Sequence, residues 1–466
     1  MSTTTTTTVS AAEQLRSLCG GAVHLPGDEG YDAARMPWNV AVDQRPAAVA
    51  YPASTEEVAE VVRAAAAAGL QVAPQGTGHN AGPLGDLSEV VLLRTSAMTG
   101  VTVDPAAGRV RVQAGTLWLD VVEAAAKHGL TVLHGSSPDV GVVGYSLGGG
   151  MGWYARELGL QANAITGAEL VTADGRVLRV DADHEPDLFW ALRGGGGNLG
   201  IVTELEFRTF DFTTTYAGWL VWDAKDADRV LRAWAEWAVD APDCVTTSFR
   251  LLRVPPFEEI PEPIRGRHLV IIDGAVLADE AAASAVLAPL RAQQPEMDTF
   301  ATVPTESLVR LHMDPEGPTP GVSRTSILGA LPSAGIDTLI STAGPEGDTN
   351  LVIVELRQLG GALARPADSA VSFIDGQFVL FACTMAPTPE LHAQGEADAQ
   401  RVVEAMSPWA NGRQYLNFVE EAHDASDGYT PENWARLQAV RAAVDPAGVL
   451  KANHQVPSVR VPAQRR

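Results

Sequence analysis

Two glycine-rich stretches hold the residue types best suited to chemistry. In Gln75-Gly76-Thr77-Gly78-His79-Asn80 two glycines flank a threonine, so the backbone can turn tightly and aim its N–H groups at one point, a nest that suits a phosphate. His79 comes within reach of whatever the phosphates carry. This spacing predicts a dinucleotide held by the loop with His79 as its anchor; a glycine-rich surface turn with an incidental histidine is the plainer alternative. The second stretch has glycines at 135, 141, 144, 148, 149, 150 and 152, as expected of backbone running beside a long ligand. Within it, Gly144-Tyr145-Ser146-Leu147-Gly148 also fits the G-x-S-x-G elbow of serine hydrolases, with Ser146 as nucleophile and His423 or His454 as its base. A third run, Gly195 to Gly200, satisfies G-x-G-x-x-G. The nicotinamide fingerprint needs a strand before and a helix after, and here a helix-like Pro186–Arg193 precedes and a strand-like Ile201–Phe207 follows. That fingerprint is rejected, which leaves a glycine turn beside a ligand.

These loops need regular elements to hold them. Val49-Ala50-Tyr51 reads as a strand, Ser54 with Glu57 as a capping box, and Val58, Val61, Val62 and Ala65 as a helical stripe closed by Gly69. A second short strand then delivers the chain to Gln75, giving a β-α-β unit with a glycine turn at a strand's C-terminal end, where ligands bind in α/β sheets. Strands are expected at Val90–Leu93, Arg109–Gln113 and Thr131–Leu133, a helix at Leu117–His128, and a hairpin of Ala168–Val171 and Val177–Val180 around Asp174-Gly175. From about Thr213, strand-like runs such as Gly218–Trp222, His268–Ile272, Leu351–Leu356 and Phe378–Phe381 alternate with helical ones at Ala227–Val239, Ala278–Gln293 and Leu391–Met406. This predicts an antiparallel sheet with helices on one face. Pro315–Pro320 reads as a surface loop at a cavity mouth.

The 466 residues exceed one compact core, so two or more domains are expected. A net charge of −24 argues against nucleic acid or an anionic membrane as partner, and means an anionic ligand is held by backbone amides more than by lysines. Three widely spaced cysteines form neither a disulfide framework nor a zinc site, and no metal motif is present. The threonine run at the start has no basic or apolar segment of a signal peptide and reads as disordered; a soluble, cytoplasmic protein is expected.

Further signatures follow in order: Asp187-Leu188-Phe189-Trp190-Ala191-Leu192-Arg193-Gly194-Gly195-Gly196-Gly197-Asn198, then Tyr415-Leu416-Asn417-Phe418, then Asp445-Pro446 running to Asn453-His454. With the two glycine stretches, these resemble FAD-linked oxidases of the berberine bridge enzyme type, within the vanillyl-alcohol oxidase and p-cresol methylhydroxylase fold. The resemblance covers most of the chain. It implies an α+β, two-domain FAD-binding fold: residues 10–212 as the FAD-binding domain, 213–414 as an antiparallel-sheet substrate domain flanked by helices, and 415–466 as a return to the first. It also implies a covalent bond from His79 to the flavin 8α-methyl group. Ser137 stands where many relatives carry a second, cysteine link, so a single link is expected. Gln75, Gly76, Thr77, Gly78 and Asn80 would cradle the pyrophosphate. Ser137, Asp139, Val140, Gly141, Gly144, Tyr145, Gly148 and Gly152 would run along the cofactor, Ile201 and Val202 beside its adenine, and Asn453 near its isoalloxazine. Val140 matches the gate position that admits oxygen in oxidases, although a valine there also serves plain packing.

The activity implied is removal of hydride from an alcohol or amine carbon of a small molecule, with molecular oxygen as acceptor giving hydrogen peroxide; tailoring steps in secondary metabolism fall within the family's breadth. Carbohydrate-oxidising relatives use the last tyrosine of a Tyr-x-Asn-Tyr motif as base. Phe418 stands there and cannot accept a proton. The substitutes are Tyr415, Tyr145 and Glu355, the last alternating with Arg357 on one strand so that the two share a face. A structural tyrosine, packing against the cofactor and a plain salt bridge are the respective alternatives, and His454 reads as structural. A serine hydrolase and a flavin-binding protein without catalysis remain as the competing readings.

Overall fold

The computed structural model describes residues 11–458, so the threonine run at 1–10 lies outside the described residues. Three sheets organise them. The first has four strands in the order Val23–His24, Ala48–Ala50, Val90–Arg94, Gln71–Gln75. Its last three strands are parallel, and Ala48–Ala50 is buried on both faces, as parallel strands covered by helices are. The helix Thr55–Ala67 starts where the Ser54 hydroxyl accepts the Glu57 N–H at 3.2 Å, while the Glu57 carboxylate accepts the Ala53 N–H at 2.7 Å. This is a capping box with its return bond displaced by one residue. Val90–Arg94 lies between Ala48–Ala50 and Gln71–Gln75, so the two strands of the expected β-α-β unit are not neighbours.

The second sheet is antiparallel, ordered Val101–Asp104, Arg109–Gln113, Ile201–Arg208, Ile165–Val171, Val177–Val180. Its last two strands are the hairpin read from Asp174-Gly175, with Gly175 at φ +77°. Thr131–Leu133 is not a strand; Thr131 makes one isolated bridge to Phe210.

The third sheet has eight antiparallel strands between Thr214 and Met385. Helices Ala227–Asp240, Glu280–Arg291, Ser333–Ala343 and Pro389–Met406 cover one face, where Trp234 meets Phe249 and Phe378 at ring distances of 5.8 and 4.8 Å. Residues of the opposite parity on the same strands face a cavity. After Tyr415 the chain returns to the first sheet, where Val72 bridges Leu450. Among the described residues no helix is long and apolar enough to cross a membrane.

Candidate functional site

The strand Gln71–Gln75 ends in the glycine loop as predicted. Gly78 takes φ +84°, and a β-carbon on it would sit 2.8 Å from Pro37 Cβ, so only glycine fits. The loop presents His79 in a defined orientation. Its ring stacks on Trp38 with centroids 4.0 Å apart, and Nδ1 lies 2.7 Å from the Thr77 hydroxyl. Nε2 is buried without a hydrogen-bond partner, 3.4 Å from the Asp139 carboxylate. Asp139 itself accepts from Trp38 Nε1 and the Gly317 N–H, each at 2.7 Å, and from the Ser137 hydroxyl at 2.9 Å. Burial alone would raise its carboxyl, but the His79 imidazole beside it and the hydrogen bonds from Gly317 and Trp38 outweigh that and hold it well below the usual carboxylate range. A fixed anion thus faces one edge of His79. Asp139→Asn is therefore expected to lower the fraction of protein carrying the covalent cofactor proposed below, as read from the ratio of flavin to protein absorbance after denaturation.

A cavity of about 710 Å³ runs from this loop to the cavity-facing side of the eight-stranded sheet. Gln75 to Asn80, Ser137, Val140, Gly141, Gly144, Tyr145, Gly148, Val202 and Asn453 line it, together with the turn Gly194–Gly197. Three site residues expected from the sequence do not. Asp139 sits behind His79. Gly152 packs with its Cα side against His134, and Ile201 is buried among Val171 and Leu450 in the core. The cavity fits a dinucleotide on two observations. Its wall is bare backbone where a β-carbon on Gly141 would meet nothing closer than 3.9 Å and one on Gly144 nothing within 4 Å. Beside that wall lie buried polar atoms without partners: His79 Nε2, Asn80 Oδ1, the Tyr145 hydroxyl and His454 Nδ1.

The serine-hydrolase alternative fails here. Ser146 is fully buried, its hydroxyl has no hydrogen-bond partner among the described residues, and it does not line the cavity. His423 is paired with Asp427, and burial pushes His454 down to about 4.

The sheet side of the cavity carries a buried charge network. In register, Ser248 faces Asp273 and Arg357, and two residues along, Arg250 faces Glu355, which faces Phe381. Arg250 pairs with Asp273 at 2.5 Å, Arg357 with Glu355 at 2.8 Å, and His312 bonds Asp273 at 2.8 Å through Nδ1. Burial and the Arg250 charge oppose protonation of His312, but the carboxylates of Asp273, Asp314 and Glu355 prevail and hold it up at about 9. Burial likewise opposes ionisation of Glu355, yet the Arg357 and His312 charges keep its carboxyl well below the ordinary range. Glu355 is therefore an anchored anion and a weak base.

The return segment brings up the remaining groups. A β-carbon on Gly148 would lie 1.8 Å from Asn417 Oδ1, which is how closely Tyr415-Leu416-Asn417-Phe418 approaches the second glycine stretch. The Tyr415 hydroxyl accepts the Met151 N–H at 2.9 Å, and burial pushes its phenol up to about 12. Burial raises Tyr145 further above its ordinary value. Both are neutral donors near pH 7. Phe418 lies 5.1 Å from the Arg357 guanidinium, a cation–π contact in place of a proton acceptor. Glu420 also lines the cavity, and burial pushes its carboxyl up to about 7. The sequence reading did not single it out: the motif position for a base is the fourth residue, Phe418, and Glu420 stands two places later.

Residues 46–181 match a family model described as an FAD binding domain. The (R)-6-hydroxynicotine oxidase of Paenarthrobacter nicotinovorans is 37% identical over 203 residues, which are 43% of this chain and 44% of that protein. The glucooligosaccharide oxidase of Sarocladium strictum is also 37% identical, over 46% of this chain and 44% of its own length. The chain thus spans less than half the length of these curated relatives. Among solved structures, 6-hydroxy-D-nicotine oxidase from Arthrobacter nicotinovorans superposes with a TM-score of 0.82 at 25% identity, covering 94% of this chain and 98% of that one. Glucooligosaccharide oxidase from Acremonium strictum, with its 6-S-cysteinyl, 8α-N1-histidyl FAD, superposes at 0.80 and 23% identity, covering 97% and 100%. The fold is the FAD-binding fold of the vanillyl-alcohol oxidase and p-cresol methylhydroxylase type.

Proposed function

We propose that this chain, with its FAD binding domain at residues 46–181, is an FAD-linked oxidase of the berberine bridge enzyme type that acts on an alcohol or amine carbon of a small molecule. The observation that carries this reading is the continuous cavity joining the His79 loop to the charged face of the eight-stranded sheet. Residues 10–212 and 415–466 would form the cofactor half and 213–414 the substrate half. When bound, FAD supplies the two-electron oxidation of the substrate carbon and the return of those electrons to oxygen as hydrogen peroxide. The chain's own residues bind, orient and move a proton. Backbone N–H groups of Gly76 to Asn80 would hold the pyrophosphate, and His79 would make the single covalent link, since Ser137 at the second position carries no thiol. Tyr415 and Tyr145, both protonated near pH 7, would donate hydrogen bonds to the cofactor. The proton on the substrate's hydroxyl or amine goes to Glu420, while Glu355 fixes Arg357 at the cavity wall. Cytoplasmic placement belongs to the same proposal: Cys19, Cys244 and Cys383 are free thiols, as in a reducing compartment.

An absorption spectrum of the purified protein tests this directly. The expected result is flavin bands that substrate bleaches without oxygen and that return with air as peroxide accumulates. Folded, FAD-supplied protein without those bands overturns the reading. A yellow protein that no alcohol or amine bleaches replaces it with a flavin-binding protein that has lost catalysis.

A further inference from the structure

Along the strands that carry Arg250 and Glu355, the cavity wall changes character within two residues. Leu252 stands opposite Ile353, and Leu269 opposite Leu252. The segment 254–267 folds over this patch. It is tied at its base by the Val254 N–H donating to Arg267 O at 2.8 Å, and within by Arg265 donating to Ile260 O at 2.9 Å. Ile264 is only 3% exposed, buried against Leu252, Leu269 and Ile271, while Phe257 remains 54% exposed at the rim. Trp219 also lines this part of the cavity, and its indole N–H already donates to Leu311 O at 2.7 Å. The lining side chains of 252–264 and 352–353 carry no hydrogen-bonding group at all.

We infer that this half of the cavity is a subsite for an apolar, ring-sized body of the substrate, so that the oxidised group is carried by a hydrophobic alcohol or amine and not by a sugar. The inference rests on the oxidase reading above and narrows its substrate class. The physical reason is asymmetric. A sugar placed between Leu252, Ile264 and Phe257 would lose its hydroxyls' bonds to water and find no partner, whereas an aromatic body loses only unfavourable hydration. The charged row at Arg250 and Glu355 then meets the polar, reacting end.

Calorimetric titration of the purified protein with naphthylmethanol and with cellobiose, both without oxygen, tests the subsite without requiring turnover. Naphthylmethanol is expected to bind at least ~10-fold more tightly than cellobiose, with a negative heat-capacity change. Leu252→Asn is expected to weaken naphthylmethanol ~10-fold while leaving cofactor content unchanged. Phe257→Ser, at an exposed position that folding does not depend on, should weaken it in the same direction. Cellobiose binding as tightly as naphthylmethanol, neither compound binding, or both variants binding like the parent would each overturn the subsite. Failure of the oxidase reading shows separately, as flavin bands that naphthylmethanol does not bleach in the same oxygen-free titration even though it binds.

Discussion

Replacing His79 with alanine is expected to move the flavin from the protein pellet to the supernatant on acid precipitation. In the parent the bands should stay with the washed pellet, and digestion should give one flavin-bearing peptide, the one containing His79. The expectation rests on the local geometry. The imidazole is stacked on Trp38, engaged by Thr77 at Nδ1 and faced by the Asp139 anion at Nε2, so its position is fixed before any cofactor arrives. Alanine leaves the glycine loop's N–H groups in place, so the variant should still bind FAD, now reversibly. A reversible ligand stabilises by mass action, by about 2.7 kcal/mol at a hundredfold excess over Kd. The Tm of His79→Ala should accordingly rise with added FAD, and the parent's should not. Flavin in the parent's supernatant would leave the fold intact and sink the covalent link.

The sequence made the cofactor half legible because its signals are local. Glycines at 76, 78, 141 and 144, a histidine directly after a turn and a capping serine all act within a few residues, and each stands where its spacing put it. What was misread depended on contacts distant in the chain. Thr131–Leu133 has strand composition but pairs through one residue only, because its neighbour across the gap, Phe210, leads straight into the crossover to the third sheet. The strand Val245–Arg253 was overlooked because it is buried on both faces and shows no alternation, with Ser248 and Arg250 made tolerable by Asp273 from the neighbouring strand. Asp139 was placed on the cofactor from its position in the glycine stretch, whereas Trp38 and Gly317, about a hundred and more residues away, draw it behind His79. The same holds for the base. Sequence spacing offered Glu355 with a salt bridge to Arg357 as its plain alternative; that bridge forms, and only the fold adds His312 to it.

Glu420→Gln is expected to lower kcat/KM by about 10²–10⁴-fold, the range lost with a positioned general base. Three carboxylates line the cavity away from the glycine loop. Asp314 is bonded to the Ser136 hydroxyl at 2.8 Å, and Glu355 is held ionised by its cations. Glu420 differs because burial outweighs the Ser323 hydroxyl and the charge of Arg324, which is already bonded to Glu396 at 3.1 Å and Glu421 at 2.5 Å. A base acts deprotonated, so the parent's kcat/KM should rise with pH through an inflection at about 7, and the Glu420→Gln substitution should flatten that limb. The stability of the fold must move the opposite way. A carboxyl raised from 4.5 to about 7 by folding stabilises while protonated, below its unfolded value, and that contribution is lost as pH climbs through about 7. Removing the titration should therefore let the variant's Tm gain on the parent's as pH rises from about 4.5 to about 7, with the difference level above that, while activity falls. Glu355→Gln separates the roles. It strips Arg357 and His312 of their partner, so it should destabilise the fold and raise KM while leaving the inflection near 7 in place. An inflection near 7 that survives Glu420→Gln would take the proton away from this carboxyl.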